Sequence, residues 1–361
     1  MRIATKNLLA ELTWANKFTE RKTSIPILTH VLFEAADGRI KLTGTDLETA
    51  GLTMVEGQGT DTWTVAVPVD KLIKYLQKVE EPDVILSASD THKLLVAHGK
   101  DGSMTAGMSR ESYPEPPAIP AAQATLRNLP WAVDRTAFCI AKEESRFTLD
   151  GALVEIGPDG SQMVSTDGHR LSAAPLDVRT KETLRAVVRA FALTEAAKIE
   201  GDWTIALDDA HVFLGCGRRH IITRKLENNF PDYKRVMFSE AYGHALIPVK
   251  STLKTLERVR LFADERSQTV TFGTEDNTLT LQAETAENGA ASGAIPFQQG
   301  EVPVPYRCGF NAKYIAEFLA KADVEHVAMC WQERDKNGNY SSAAMLVTGD
   351  WKYTVMPMRI G

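Results

Sequence analysis

The feature that most restricts this chain is an internal echo with a period near 120 residues. Asp83, Asp90, His92 and Leu95 recur as Asp202, Asp209, His211 and Leu214, all at an offset of 119. Thr45-Asp46 recurs as Thr166-Asp167 at 121, and Tyr113-Pro114 as Phe230-Pro231 at 117. A chain of 361 residues is too long for one ordinary core. Three like copies account for its whole length, with boundaries expected at 1–121, 122–245 and 246–361.

Each copy reads as two helices and a set of antiparallel strands, an α+β arrangement. Apolar residues at helical spacing predict helices over 7–18 (Leu8, Leu9, Leu12, Ala15), 70–79 (Leu72, Ile73, Leu76, Val79) and 131–142 (Phe138, Ile140, Ala141). A further basic-apolar helix is expected over 192–200. Two more span 251–263 (Leu253, Leu256, Leu261) and 311–321 (Tyr314, Ile315, Phe318, Leu319). Alternation predicts strands at Arg39–Thr43, Thr62–Val67, Asp83–Leu86, Lys93–Val96, Asp202–Leu207, Thr269–Phe272 and Thr278–Leu281. The proline-rich run Tyr113–Pro120 reads as a linker. Met356 and Met358 alternate with Pro357 and Arg359, so one face of that tail is expected to be core.

Near the middle lies Ser165-Thr166-Asp167-Gly168-His169-Arg170-Leu171-Ser172, a strand tip at an Asp-Gly turn. A solvated turn and a functional tip are both open on local grounds. A hydrolase would use Ser165 or Ser172 with Asp167 and His169. Triad members normally come from separate elements, and no Gly-x-Ser-x-Gly elbow is present. A metal site would need ligands beyond Asp167 and His169, and no His-Glu-x-x-His occurs. Gly99-Lys100 lacks the upstream glycine of a phosphate loop. The residues therefore favour a binding surface over an enzyme, and no cofactor is expected.

The net charge of −6 argues against a wholly basic nucleic-acid binder but leaves room for local basic rows. Lys71, Lys74 and Lys78 form one such row, and Lys250, Lys254 and Arg258 another. Rows that converged would make a positive channel in an acidic body, gripping phosphates without reading sequence. No apolar run approaches the ~18 residues of a membrane span, and no secretory core opens the chain. Cys139, Cys216, Cys308 and Cys330 are far apart and read as reduced thiols of a cytosolic protein.

Five stretches, in this order, carry a resemblance: Leu42-Thr43-Gly44-Thr45-Asp46-Leu47-Glu48, Thr166–Leu171, Phe230-Pro231-Asp232-Tyr233-Lys234-Arg235-Val236, Gly309-Phe310-Asn311 and Val355-Met356-Pro357-Met358-Arg359. Over its full length the chain resembles the bacterial DNA polymerase III beta subunits, the sliding clamps. The resemblance implies a head-to-tail homodimer: a ring of six similar domains, helices inside and sheets outside, around duplex DNA. It implies a cytoplasmic, non-catalytic processivity factor. Its partners would be the polymerase alpha subunit, the clamp loader, translesion polymerases and mismatch-repair proteins, docking through linear motifs.

Carried over by position, one docking subsite falls on Leu149, Thr166, Gly168, His169, Arg170, Leu171, Pro231, Arg235, Val236 and Met356. An adjoining groove falls on Asn311, Tyr314, Pro357, Met358 and Arg359. DNA contacts fall on Lys22 and Phe147, beside the basic rows, and ring-interface positions on Met104, Leu261 and Phe262. Departures are Thr148 for a tyrosine, Ser267 for a pocket-edge phenylalanine, Thr354 for a valine, and the Ile360-Gly361 end. Two alternatives keep the fold: a monomeric peptide-binding hub, and a second clamp copy with altered inhibitor sensitivity.

Overall fold

A computed structural model of the chain describes residues 1–142, 150–226, 230–237, 243–275, 277–301, 306–331 and 343–360, with backbone alone at 299–301. Six times among them a strand leads into a helix. Arg2–Ala4 enters α1 (Thr5–Ala15), Trp63–Val67 enters α2 (Asp70–Leu76), and Ala124–Leu126 enters α3 (Leu129–Thr136). Leu184–Arg189 enters α4 (Ala190–Ala197), Gly243–Pro248 enters α5 (Val249–Val259), and Tyr306–Asn311 enters α6 (Ala312–Lys321).

Contacts divide the chain into two units, Met1–Arg127 with Lys198–Lys225, and Asn128–Ala197 with Leu226–Gly361. The first holds a four-stranded sheet in the order Arg2–Ala4, Asp83–Ala88, Lys93–His98, Asp101–Ala106. Its second sheet has eight strands: Trp63–Val67, Val31–Ala36, Arg39–Thr45, Thr49–Glu56, Arg219–Arg224, His211–Cys216, Trp203–Leu207, Ala124–Leu126. One core cluster gathers Leu8 and Leu12 of α1, Leu72 and Leu76 of α2, and Phe33, Val65, Val84 and Leu94 of both sheets. The end of α1 comes close to the larger sheet at a cross-strand glycine pair, Gly44 opposite Gly51. A Cβ on Gly44 would stand 2.1 Å from the Ala15 carbonyl oxygen, and one on Gly51 2.2 Å from the Phe18 ring.

The second unit has a nine-stranded sheet: Leu184–Arg189, Gly151–Ile156, Ser161–Thr166, Arg170–Pro175, Trp351–Val355, Ala344–Thr348, His326–Trp331, Gly243–Pro248, Gln298–Glu301. Its four-stranded sheet runs Gly289–Pro296, Thr278–Thr285, Thr269–Glu275, Tyr306–Asn311. Every strand pair in all four sheets is antiparallel.

The large sheets are made by the same junction used twice. Thr49–Glu56 pairs with Arg219–Arg224 (Ala50 opposite Ile222), and Arg170–Pro175 pairs with Trp351–Val355 (Leu171 opposite Thr354). In each case the edge of one copy is completed by the next. An apolar seam of Ala50, Leu52, Ala206, Phe213 and Ile222 covers the first junction.

Several expectations are corrected. The 119-residue offset fails after Asp209: the turn before Lys93 is one residue longer, with His92 at φ 56°. Ser87 faces Leu95 as Ala206 faces Phe213, so Leu95 is the counterpart of Phe213, not Leu214, and His92 has no histidine counterpart. α3 starts at Leu129, before the expected 131, because Pro130 suits a first turn. It ends at Thr136 in a 3-10 turn, Ala137–Cys139, not at 142. α4 contains no lysine or arginine; Lys198 follows it, so it is not a basic helix. α2 stops at Leu76, which leaves Lys78 in the turn beyond. No helix of the described residues is long and apolar enough to cross a membrane.

One buried charge ties α1 to the strand from the next copy. Glu11, with a side chain 3% exposed, accepts two bonds from the Arg219 guanidinium at 2.8 and 2.9 Å and one from the Thr53 hydroxyl at 2.7 Å. Burial alone would raise its pKa; Arg219 and Thr53 more than offset this and lower it. A lowered carboxyl contributes stability above the unfolded pKa that is lost as pH falls through the folded value. Glu11→Gln should therefore cost about 3–5 kcal/mol at neutral pH. Denaturant unfolding would read that loss, and the difference from the parent should shrink in acid.

Candidate docking site

The site begins with the turn 167–169. Gly168 sits at φ 86°, open to glycine without strain. Asp167 Oδ1 accepts the amides of His169 (3.0 Å) and Arg170 (3.1 Å), while Thr166 Oγ1 accepts the Gly168 amide (3.1 Å) and donates to the Arg170 carbonyl (2.7 Å). The same network recurs at the first junction. Asp46 accepts the amides of Glu48 and Thr49 at 2.9 and 2.6 Å, and Thr45 accepts from Leu47 at 3.0 Å and donates to Thr49 at 3.2 Å. There the turn residue is Leu47, at φ 78°.

These bonds dispose of the hydrolase reading. Ser165 is buried and donates to the Thr136 carbonyl. Ser172 donates to the Arg135 carbonyl and accepts from the Trp351 indole at 2.9 Å. Asp167 serves the turn and Arg170. Among the described residues no three His, Cys, Asp or Glu side chains are placed to hold a metal ion.

Arg170 is the post on which the site stands. It is 9% exposed, and its guanidinium donates to Asp167 (2.9 Å), to Glu317 of α6 and to the Phe138 carbonyl (2.6 Å). It lies 4.3 Å from the Tyr314 ring centroid and 5.5 Å from that of Phe138. Burial alone would lower its pKa; the groups that face it, Cys139 and Tyr353 and then the Glu317 and Asp167 carboxylates, more than offset that and raise it. Burial pushes the neighbouring Cys139 thiol well up, which keeps it protonated. Behind lie Phe318, Trp351 and Tyr353 in stacked or tilted contact.

Two concavities flank this post. The first, about 150 Å³, is lined by Thr166, Gly168, Arg170, Leu171, Pro231, Asp232, Tyr233, Val236, Thr354 and Met356. Its floor is apolar: Leu171, Phe230 and Tyr233 belong to one buried cluster with Val236 packed against it. Tyr233 is anchored by bonds to Glu155 and Gln162, both 2.6 Å. The second, about 230 Å³, is lined by His169, Arg266, Ser267, Asn311, Tyr314, Met356, Pro357 and Met358. Met356 belongs to both. The tail that carries it is hung by backbone bonds, Met356 to the His169 carbonyl (2.9 Å) and Met358 to that of Gly309 (2.8 Å). Met356 is 38% exposed and Met358 half-buried on one side of the tail, and Pro357 is half-buried and Arg359 exposed on the other, so neither face of the tail is core.

Most positions carried over from the resemblance meet here, with exceptions. Leu149 and Phe147 lie outside the described residues. Arg235 does not line either cup; its side chain is 84% exposed and paired with Asp232 at 3.0 Å. Arg359 lines a third, larger concavity. Asn311 caps α6, accepting from Lys313 and Tyr314 at 3.0 and 3.4 Å and donating to the Ser267 carbonyl at 3.1 Å, so its side chain is already engaged. Asp232, Tyr233 and Arg266 were missed as lining residues. Tyr233 was within reach, since it stands in the Phe-Pro-Asp-Tyr run.

The remaining candidates sit elsewhere. Lys22, Lys71, Lys74, Lys78, Lys254 and Arg258 are all exposed. Met104 is 60% exposed on the edge strand Asp101–Ala106; Leu261 is 73% exposed and Phe262 half-buried in the turn after α5.

The chain matches three family models end to end: the N-terminal, central and C-terminal domains of the DNA polymerase III beta subunit, over residues 1–117, 123–232 and 234–359. It is 26% identical to the beta sliding clamp of Chlamydia pneumoniae, covering 94% of this chain and 93% of that one. To the clamp of Pseudomonas aeruginosa it is 25% identical over 98% of each. The crystal structure of the P. aeruginosa DNA polymerase III subunit beta superimposes with a TM-score of 0.90 at 23% identity over 100% of both chains. That of the Thermotoga maritima subunit gives 0.87 at 24%, over 100% of this chain and 99% of that one.

Removing the post should loosen the whole site. Arg170→Ala leaves Asp167 and Glu317 without their shared cation, at a cost of about 3–5 kcal/mol. Denaturant unfolding should register it, and thiol labelling of Cys139 in the native protein should speed up.

Proposed function

The chain belongs to the DNA polymerase III beta subunit family, and on that premise we propose that its three copies are clamp domains, 1–121, 122–245 and 246–361, of a head-to-tail homodimer. It is a DNA sliding clamp of DNA polymerase III, a processivity factor without catalysis of its own. The closed ring encircles duplex DNA and brings polymerase, clamp loader and repair proteins to it. Replication places it in the cytoplasm.

The observation that carries the ring is the repeated junction with its two leftover edges. Asp101–Ala106 is the first-copy counterpart of Arg219–Arg224, and Gly289–Pro296 the third-copy counterpart of Thr49–Glu56 and Arg170–Pro175. Among the described residues neither edge is joined to another copy. Met104 and Leu95, exposed by 60% and 38%, correspond to Ile222 and Phe213, which the first junction buries. An unpaired edge beside exposed apolar side chains calls for a partner strand. A second copy supplies it on both sides, and a heterologous contact used twice can close. Leu261 and Phe262 are proposed to meet the partner there.

Topological tethering needs only weak, sequence-independent contact with DNA. Lys22, Phe147, Lys71, Lys74, Lys78, Lys254 and Arg258 are proposed to supply it, on a chain whose net charge is −6. The paired cups are the proposed docking site: an apolar anchor in the first, the preceding or following residues in the second. The apolar floor under Leu171 and Val236 and the rigid Arg170 post support this.

Light scattering should give twice the 39.7 kDa chain mass, persisting from micromolar to nanomolar concentration. One chain mass throughout would favour the monomeric hub instead. Met356→Ala should weaken a fluorescent peptide bearing the replicative polymerase's docking motif about tenfold in an anisotropy titration, since the residue walls both cups.

A further inference from the structure

The two junctions within the chain share a contact that the repeat carries to a third place. α1, α3 and α5 each run into a 3-10 turn: Asn16–Phe18, Ala137–Cys139 and Arg260–Phe262. Two residues before these turns stand Trp14, Arg135 and Arg258. The strand that completes each junction opens after a two-residue turn, at Arg219 in the first and at Trp351 in the second. The two positions meet both times. The Arg219 guanidinium lies 5.2 Å from the Trp14 ring centroid, and that of Arg135 lies 5.3 Å from the Trp351 ring centroid. Arginine and tryptophan have changed sides, and the contact is kept.

The two leftover edges supply the same two positions. Asp101 opens Asp101–Ala106 after the two-residue turn from His98, and it is exposed; so is Arg258 on α5. Thr45 and Glu284 are each the seventh residue of a strand that follows a two-residue turn, and Ala50 and Ala290 stand opposite them. Ile222 and Met104 are each the fourth residue of their strands. Ala50 pairs with Ile222, so in the same register Ala290 takes Met104 of the partner subunit, and Gly293 takes the partner's Asp101. A Cβ on Gly293 would stand 2.2 Å from Thr255 Cγ2, so α5 crosses the edge strand at this residue. Thr255 Oγ1 accepts from Arg258 Nη2 at 3.3 Å. A strand laid along Gly289–Pro296 in this register therefore brings its first residue beside Thr255 and Arg258.

We propose that the ring closes with an ion pair between Arg258 and the partner's Asp101, once at each of its two chain-to-chain joints. The inference rests on the ring reading and adds the register and the charge of its closure. In the first junction the acid is on the helix, Glu11, and the base on the strand, Arg219. Between chains the signs reverse: Thr255 stands where Glu11 stands, Arg258 supplies the base and the partner's Asp101 the acid. The reversal also sorts strands, because Arg258 attracts one that opens on aspartate and repels one that opens on arginine. Arg258 then belongs to the joint as well as to the basic row it ends.

The test is the dimer dissociation constant of the full-length protein, measured without DNA by sedimentation over a dilution series. The parent is compared with Arg258→Asp, Asp101→Arg and the two combined. Each single variant sets like charges face to face at both joints. About tenfold at each joint becomes about a hundredfold in the dissociation constant, and high salt should shrink the loss. The combined variant restores opposite charges with their sides exchanged and should return to within about threefold of the parent. Single variants that dimerise like the parent, or single losses that add with no recovery in the combined variant, would overturn the ion pair and leave the ring intact. A parent that is monomeric at every concentration would overturn both.

Discussion

The structure depends on one interaction: the antiparallel pairing of the edge strand of each copy with the edge strand of the next. On their own the first two copies would each have two four-stranded sheets, and the third a five-stranded and a four-stranded one, and therefore exposed edges, a liability in any isolated domain. Pairing Thr49–Glu56 with Arg219–Arg224, and Arg170–Pro175 with Trp351–Val355, turns those edges into continuous sheets. The backbone hydrogen bonds fix register, and register fixes which side chains meet. Ala50 stands opposite Ile222, and Leu171 opposite Thr354, because of it. The two cups are a by-product of the second pairing. Leu171 and Thr354 face each other across the junction and both line the first cup, and the tail just past Trp351–Val355 becomes the wall between the cups.

The first junction has the same Thr-Asp turn but a different surface. It carries Leu47 where the second has Gly168, and Thr49 where the second has Arg170. Thr49 is short and meets Thr223 across the pairing at 3.3 Å. Arg170 is long enough to gather Asp167, Phe138 and Glu317 into one rigid support. On the same backbone network the first junction keeps a concavity of about 70 Å³, lined by Thr45, Leu47, Thr49 and Ile222 among others, against about 150 Å³ for the first cup at the second junction. Each guanidinium nitrogen of Arg170 already donates within the fold, so its part in the cups is chiefly the shape it maintains.

Much of this was legible in the residues. The 121-residue offset of the Thr-Asp turns is a true structural equivalence, down to individual hydrogen bonds. Helices with clear apolar spacing fell close to expectation: α6 to within one residue, and α1 shifted by two at its start and three at its end, where a 3-10 turn continues it to Phe18. The failures have physical causes. The match of Leu95 to Leu214 slipped because one added turn residue at positive φ shifts a strand's parity without disturbing its composition. The end of α3 was overrun because Phe138, Ile140 and Ala141 are apolar for a different reason: they pack from a 3-10 turn and an extended segment. Met356 and Pro357 alternate like strand residues, yet the chain leaves the sheet at Val355. Arg266 was invisible as a lining residue because its place depends on an Asp264-capped turn brought beside α6.

The partition between the cups is a methionine, and this has a consequence for anything made to fit them. An unbranched thioether with three rotors is a soft wall. When a bulky group leans on it from one side, the opposite compartment loses room. A thin group on one side lets the other expand. The two compartments therefore share their volume rather than own it, and their preferences are not separable quantities. Fragments optimised against each cup alone would not retain their individual affinities when joined, because each was measured with Met356 in the position that suited it.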